Sequence, residues 1–130
     1  MTPSMRVLKI LFYNIYNMLS KKYRFHSRGG VKYVYRHGKT VRSAKMSLVF
    51  VPNERGFTRV AVVVSKKVER TAVGRNRMRR RVYEVLRRNF DSVPKKMDYV
   101  FVVYSKEVMR MPEPELEEML GKLVEESKVG

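Results

Sequence analysis

The chain has 130 residues, room for one domain with a modest core. It carries 29 Lys and Arg against 12 Asp and Glu, a formal net charge of +17, and this imbalance points to a polyanionic partner without distinguishing RNA from DNA. Cysteine is absent and histidine occurs twice, which excludes a disulfide framework and a cysteine nucleophile, argues against a dedicated zinc site, and fits a reducing compartment such as the cytoplasm.

Residues 1–19 read as an N-terminal extension and residues 20–130 as the domain. Val7, Leu8, Leu11, Phe12, Ile15 and Leu19 recur near helical spacing, with Lys9, Asn14 and Asn17 elsewhere. The stretch is too short and interrupted for a membrane span and lacks the small-residue site of a signal peptide. It reads as a helical or poorly ordered extension, with an interfacial amphipathic helix as the alternative and no stable membrane association expected. Met18 stands as an alternative first residue, because the composition changes from Ser20 onward.

Lys21 to Gly30 is a basic, glycine-paired arm. Val31, Val34 and Tyr35 then share one face of a short helix that ends near Gly38, an expected C-cap. Lys39 to Lys45 reads as a second basic loop. Met46 to Pro52 alternates as a strand. Pro52, Asn53 and Gly56 mark a hairpin-type loop into Arg59 to Ser65, apolar on both faces as expected of a central strand. The short connection predicts that these two strands pair antiparallel. After the turn Glu69 to Thr71, helical periodicity runs from Ala72 to Asn89. Met78, Val82, Val85 and Leu86 form its inner stripe, and Asn76, Arg77, Arg80, Arg81, Glu84, Arg87 and Arg88 the outer arc. Asp91 to Lys96, with Pro94, stops the helix. Asp98 to Tyr104 is another strand, expected to lie parallel to the one before the helix. Pro112 and Pro114 precede an acidic final helix over 115–127, with Leu116, Met119, Leu120 and Leu123 inward. The order predicts an α+β fold, a two-layer sandwich of one sheet with helices packed on it.

The chemistry concentrates in Ser65 to Phe90. Arg75, Arg77, Arg79, Arg80 and Arg81 crowd around Asn76, and only Glu69 and Glu84 are acidic within that stretch. Like charges at helical spacing destabilise a helix unless something negative lies alongside. Guanidinium suits phosphate as a planar, bidentate donor. A solvated basic face is the bland alternative, and the scarcity of nearby acids weighs against it. Lys66 and Lys67, at the strand end feeding this helix, read as phosphate contacts or as edge protection. Phe25, Tyr33, Tyr35 and Phe50 sit among cations, where aromatic rings can stack unpaired bases. Phe50 reads equally as core, Tyr35 rather as a cleft residue, and Tyr99, Phe101 and Tyr104 as sheet packing. His26 and His37 read either as phosphate contacts or, as is usual for a lone loop histidine, as solvated side chains. No catalytic residue is expected in the protein itself: no phosphate-cradling GxxxxGK[ST] loop is present, and no carboxylate pairs with a histidine at helical spacing.

Ser65-Lys66-Lys67 followed by Ala72-Val73-Gly74-Arg75-Asn76-Arg77-Met78-Arg79-Arg80-Arg81 resembles the signature of the bacterial ribonuclease P protein subunit family. Val31 to Val41, Asp98 to Tyr104 and the acidic closing helix fall where that family has its first helix, a strand and its last helix, so the resemblance spans roughly residues 20–127. It implies a fold like ribosomal protein S5 domain 2, a mixed sheet with a left-handed βαβ crossover. It implies a subunit that helps a catalytic RNA, working with Mg²⁺, remove the 5′ leader of precursor tRNA. The RNA-binding positions it implies are Lys66, Lys67, Arg75, Asn76, Arg77, Arg79, Arg80 and Arg81. The leader-binding cleft it implies is lined by Val31 and Tyr35, with Phe50 or its strand neighbours opposite. Magnesium would be bound mainly by the RNA. The chain departs from the family pattern in the longer turn Glu69 to Thr71, in Val31 where phenylalanine is frequent, in Tyr83 where a basic residue is frequent, and in Arg81 where apolar residues are common. A ribosomal or other structural RNA-binding protein is the alternative, and a membrane-anchored peripheral protein is the more distant one.

Overall fold

The computed structural model describes residues 28–55, 57–89 and 96–129. The expected extension over residues 1–19 lies outside them, as do most of the basic arm and the stop signal around Pro94. In chain order the elements are α1 (Arg28–His37), β1 (Lys39–Arg42), β2 (Met46–Pro52), β3 (Arg59–Val64), α2 (Ala72–Arg88), β4 (Met97–Val103), a 3-10 turn (Lys106–Met109) and α3 (Glu113–Val129). The fold is α+β, with one four-stranded mixed sheet and three helices among the described residues. The expected basic loop after Gly38 is strand β1, paired antiparallel with β2 from Lys39↔Phe50 to Arg42↔Ser47. Its cationic side chains hid it, because an edge strand exposed to water tolerates them. Gly38 is required there by close approach, not by a left-handed cap. A Cβ on it would lie 2.5 Å from the Val34 carbonyl oxygen and 2.8 Å from that of Phe50.

The sheet order is β1-β2-β4-β3, so the expected β2–β3 hairpin does not form. β4 inserts between the two, antiparallel to β2 and parallel to β3. The parallel pairing across α2 agrees with the sequence reading. A short loop spans the intruding strand because it is stitched to the start of β4. Asn53 donates its backbone N–H to the Lys96 carbonyl (2.8 Å) and its side-chain amide to Asp98 Oδ1 (2.8 Å) and the Phe57 carbonyl (3.2 Å). Its Oδ1 accepts from Arg55 N at 2.9 Å, an Asx turn. Arg59 grips the buried Asp98 carboxylate with two parallel bonds, Nε to Oδ1 at 3.0 Å and Nη2 to Oδ2 at 2.8 Å. β3, apolar on both faces, is therefore an edge strand and not a central one. One of its faces is covered by α2 and the other only in part, and its outer edge is closed at Val62, whose N–H donates to the buried Tyr83 hydroxyl at 3.2 Å. A tyrosine at that helix position is thus a cap on a sheet edge.

The main core lies between the sheet and the pair α2 and α3. Met46, Leu48, Phe50, Val60, Val62, Val64, Tyr99, Phe101 and Val103 meet Met78, Val82, Val85, Leu86, Leu116, Leu120 and Leu123 there. The inner stripes expected of both helices are buried, apart from the partly buried Met119. α1 lies on the opposite sheet face, where Val34 is buried with Val49, Ala61 and Val100. A helix of 10 residues is about 15 Å long and roughly 10 Å wide, too small to cover that face. Val51, Val63 and Val102 stay partly exposed beside it.

α2 is held on a second side by the segment that leads from β4 into α3. Arg81 donates from Nη1 to the Val108 carbonyl at 2.7 Å and from Nη2 to the Met111 carbonyl. Arg88 pairs with Glu113 at the start of α3, and the buried Arg87 pairs with Glu84. Desolvation by burial, then the neighbouring Arg88 charge, lower the Arg87 pKa.

Asp98→Ala removes both Arg59 bonds and one from Asn53 at a site sheltered from water. It is expected to lower unfolding free energy by about 3 kcal/mol. Asp98→Asn is expected to lower it less, because one amide oxygen still accepts. Urea midpoints equal to the parent's would show that the β2–β3 loop is held by other contacts.

Candidate nucleic-acid interface

The surface begins where β3 runs out. Ser65 accepts on its carbonyl from Val68 N (3.1 Å) and Glu69 N (3.2 Å), a turn that buries Val68 and leaves Lys66 and Lys67 exposed at its crest. The next turn is built around Glu69. Its Oε1 accepts from the Thr71 backbone N–H (3.2 Å) and hydroxyl (3.1 Å). Those bonds, the backbone one first, hold its carboxyl below the ordinary glutamate range, helped by the charges of Lys106 and Arg75. Thr71 caps α2 by accepting from Gly74 N at 3.0 Å. Gly74 leaves room for the Glu69 side chain in this arrangement, since a Cβ there would come within 2.5 Å of Glu69 Cγ and Cδ and displace them. The lengthened turn is thus an ordered capping structure.

The arginines of α2 separate into groups. Arg75 is half-buried and donates Nη1 to the carbonyls of Glu69 (3.1 Å) and Arg70 (2.8 Å), bracing the turn. Asn76 is exposed and accepts on Oδ1 from Arg79. Arg77 and Arg80 are exposed and make no side-chain hydrogen bond or ion pair with other described residues. Arg81 is the correction to the expected cluster: it belongs to the packing between α2 and the 3-10 turn. The outer arc is narrower than periodicity alone suggests, since Arg81, Arg87 and Arg88 are all engaged by the fold. Lys106 carries no mark in the sequence as part of this surface. It is exposed and within electrostatic reach of Glu69, although the whole of α2 and β4 separates the two in the chain. Nothing local in its sequence carries that signal.

Of the three expected cleft residues, two lie on α1. Val31 is partly buried against the small core under that helix. Tyr35 is 46% exposed, and partial burial raises the pKa of its hydroxyl. Phe50 is not with them. It points to the opposite sheet face, into the main core, 6.4 Å ring to ring from Tyr99. Side chains alternate along a strand, so it is the neighbours Val49 and Val51 that face α1. Tyr33 is exposed, with its ring 4.5 Å from that of His37. Tyr99 and Phe101 are buried as expected. Tyr104 is 43% exposed, its hydroxyl donating to the carbonyls of the β1–β2 hairpin.

Among the described residues no three of His, Cys, Asp and Glu gather so as to hold a metal ion, and no helix is long and apolar enough to cross a membrane. The one buried carboxylate among them, Asp98, is taken by Arg59 and Asn53. What the surface offers is fixed positive charge at a helix amino end, where the helix dipole also favours anions.

Comparison with known proteins points to one family. The family described as Ribonuclease P matches residues 19–128. A ribonuclease P protein component of Roseiflexus castenholzii is 29% identical over 111 residues, covering 85% of this chain and 90% of that protein. One of Pelotomaculum thermopropionicum is 32% identical over 96 residues, covering 74% and 84%. The solved structure of the RNase P protein from Thermotoga maritima superimposes with a TM-score of 0.72 at 26% identity, over 79% of this chain and 96% of that one. That from Staphylococcus aureus does so with 0.70 at 22%, over 82% and 96%, a likeness of fold. With its fold, its basic helix and a family match over residues 19–128, this chain belongs to the ribonuclease P protein family.

Proposed function

We propose that the chain is the protein subunit of a ribonuclease P holoenzyme, binding a catalytic RNA and the 5′ leader of precursor tRNA while the RNA carries out the cleavage. The single observation that carries this reading is the pair Arg77 and Arg80, exposed on α2 and matched by no acid among the described residues. Lys66, Lys67 and Asn76 flank them on the same exposed stretch. Each guanidinium presents a fork that fits two phosphate oxygens. Held on a packed helix, it loses little freedom on binding. Arg75 and Arg79 act next to them by bracing the turn and orienting Asn76. Magnesium belongs to the RNA phosphates in this reading.

The leader lies, in this reading, along the half-covered sheet face. Val63 and Val102, paired across β3 and β4, give an apolar floor on one side of the row that α1 covers, and Tyr35 on α1 offers a half-exposed ring in place of the buried Phe50. Contacts made only with the leader favour precursor over mature product, which lacks it.

Reconstituted processing of precursor tRNA, with and without this protein, tests the reading as a whole. Stimulation at limiting Mg²⁺ is expected, and its absence would leave a structural RNA-binding protein instead. Arg77→Ala with Arg80→Ala is expected to weaken assembly with the RNA and to flatten the plot of log affinity against log salt by ~0.7–0.9 per lost contact. Its melting temperature is expected to stay at the parent value. Arg81→Ala is expected to do the reverse, lowering stability by about 1–3 kcal/mol through the carbonyls it abandons. If the two variants behave alike, the division of arginines described above is wrong. Tyr35→Ala is expected to weaken binding of leader-bearing tRNA by about 1–3 kcal/mol if one base stacks on it, with mature tRNA unaffected. Equal losses for both substrates would remove the leader role.

A further inference from the structure

We infer that the 3-10 turn Lys106–Met109, with Arg110 after it, is a second RNA-contact element that Arg81 holds in line with the arginines of α2. The inference rests on the reading of α2 as an RNA surface and extends it to a part of the chain with no basic motif.

The turn is rigid from below. Val108 is fully buried and Met111 nearly so, and Ser105 caps the turn by accepting from Glu107 N at 3.2 Å. The Glu107 carbonyl accepts from Arg110 N and Met111 N, each at 2.9 Å. The Arg81 fork then bonds the carbonyls of Val108 and Met111. Arg81 lies one helical turn beyond Arg77, so the turn it grips runs along the Arg77 side of α2. Lys106, at the other end of the turn, lies within electrostatic reach of Glu69 in the turn that precedes the helix.

The two exposed ends of this rigid piece are cationic. Lys106 and Arg110 are exposed and make no side-chain hydrogen bond or ion pair with other described residues. The acid between them, Glu107, is engaged by Lys45 of the β1–β2 hairpin at 2.9 Å. Two exposed cations on a preorganised turn that Arg81 ties to α2 suit consecutive phosphates of one RNA strand or two strands lying side by side. The same arrangement accounts for a basic residue at Arg81, a helix position that would otherwise carry an apolar one. It is a positioning residue, joining two binding elements through carbonyl groups.

The test uses the whole chain and ribonuclease P RNA from the same genome, titrated across a salt series. Lys106→Ala with Arg110→Ala is expected to fold with the parent melting temperature. It is expected to bind about tenfold more weakly at low salt and to lower the salt slope by ~1.4–1.8, two contacts' worth. In an Arg81→Ala background, folded by its circular dichroism at the assay temperature, the same double substitution is expected to weaken binding by less, because the turn is no longer held in line. Unchanged affinity and slope for Lys106→Ala with Arg110→Ala, beside a clear loss for Arg77→Ala with Arg80→Ala, would overturn the inference and leave the α2 reading standing. No loss for either pair would overturn both. A loss undiminished in the Arg81→Ala background would keep the turn as a contact and remove the positioning role.

Discussion

The structure depends on α2 being gripped from two sides at once. The sheet takes its apolar stripe, and the segment after β4 takes a second flank through Arg81 and Arg88. That double grip decides which of the arginines are structural and which remain open to a partner. A guanidinium near backbone carbonyls or a glutamate is already satisfied. One pointing away from both is left with water, or with phosphate. Repulsion between like charges at helical spacing is worth only about 0.2–0.5 kcal/mol per pair, small beside the burial of the helix's inner stripe. The core can therefore hold open a charge pattern that an isolated helix would resist.

The second constraint is the ionic latch at Asp98. By joining Arg59, Asn53 and the strand β4, it lets a short loop step over an intervening strand. The resulting order puts β2 and β4 in the centre, where α2 and α3 cover one face and α1 covers part of the other. Were β2 and β3 simply a hairpin, β4 could pair parallel only on the far side of β3, and β3 would be central with β4 at the edge.

Three departures from the family pattern have structural reasons. Tyr83 closes the outer edge of β3 through Val62, a use for a hydroxyl that a lysine or arginine would not reproduce as an acceptor. Arg81 replaces apolar contact by two hydrogen bonds to the 3-10 turn, so the packing there is polar and directional. The longer Glu69 to Thr71 turn is compensated by Thr71 as cap and by Gly74, whose missing side chain admits the Glu69 carboxylate. Each change adds hydrogen bonds at a place where the backbone would otherwise lack partners.

The amino-acid sequence alone determined the helical stripes, three of the four strands, the parallel relation across α2 and the basic segment from Lys66 to Arg81, because periodicity and charge are local properties. It also carried the family signature. It did not determine β1, whose exposed cationic edge reads like a loop, nor the insertion of β4 between β2 and β3, which depends on Asp98 meeting Arg59 and Asn53 across the sheet. Which way Phe50 faces and which arginines are free were likewise settled only by tertiary packing. Alternation marks two faces of a strand without saying which one meets α1, and a helical wheel cannot see a neighbour that arrives from the far end of the chain.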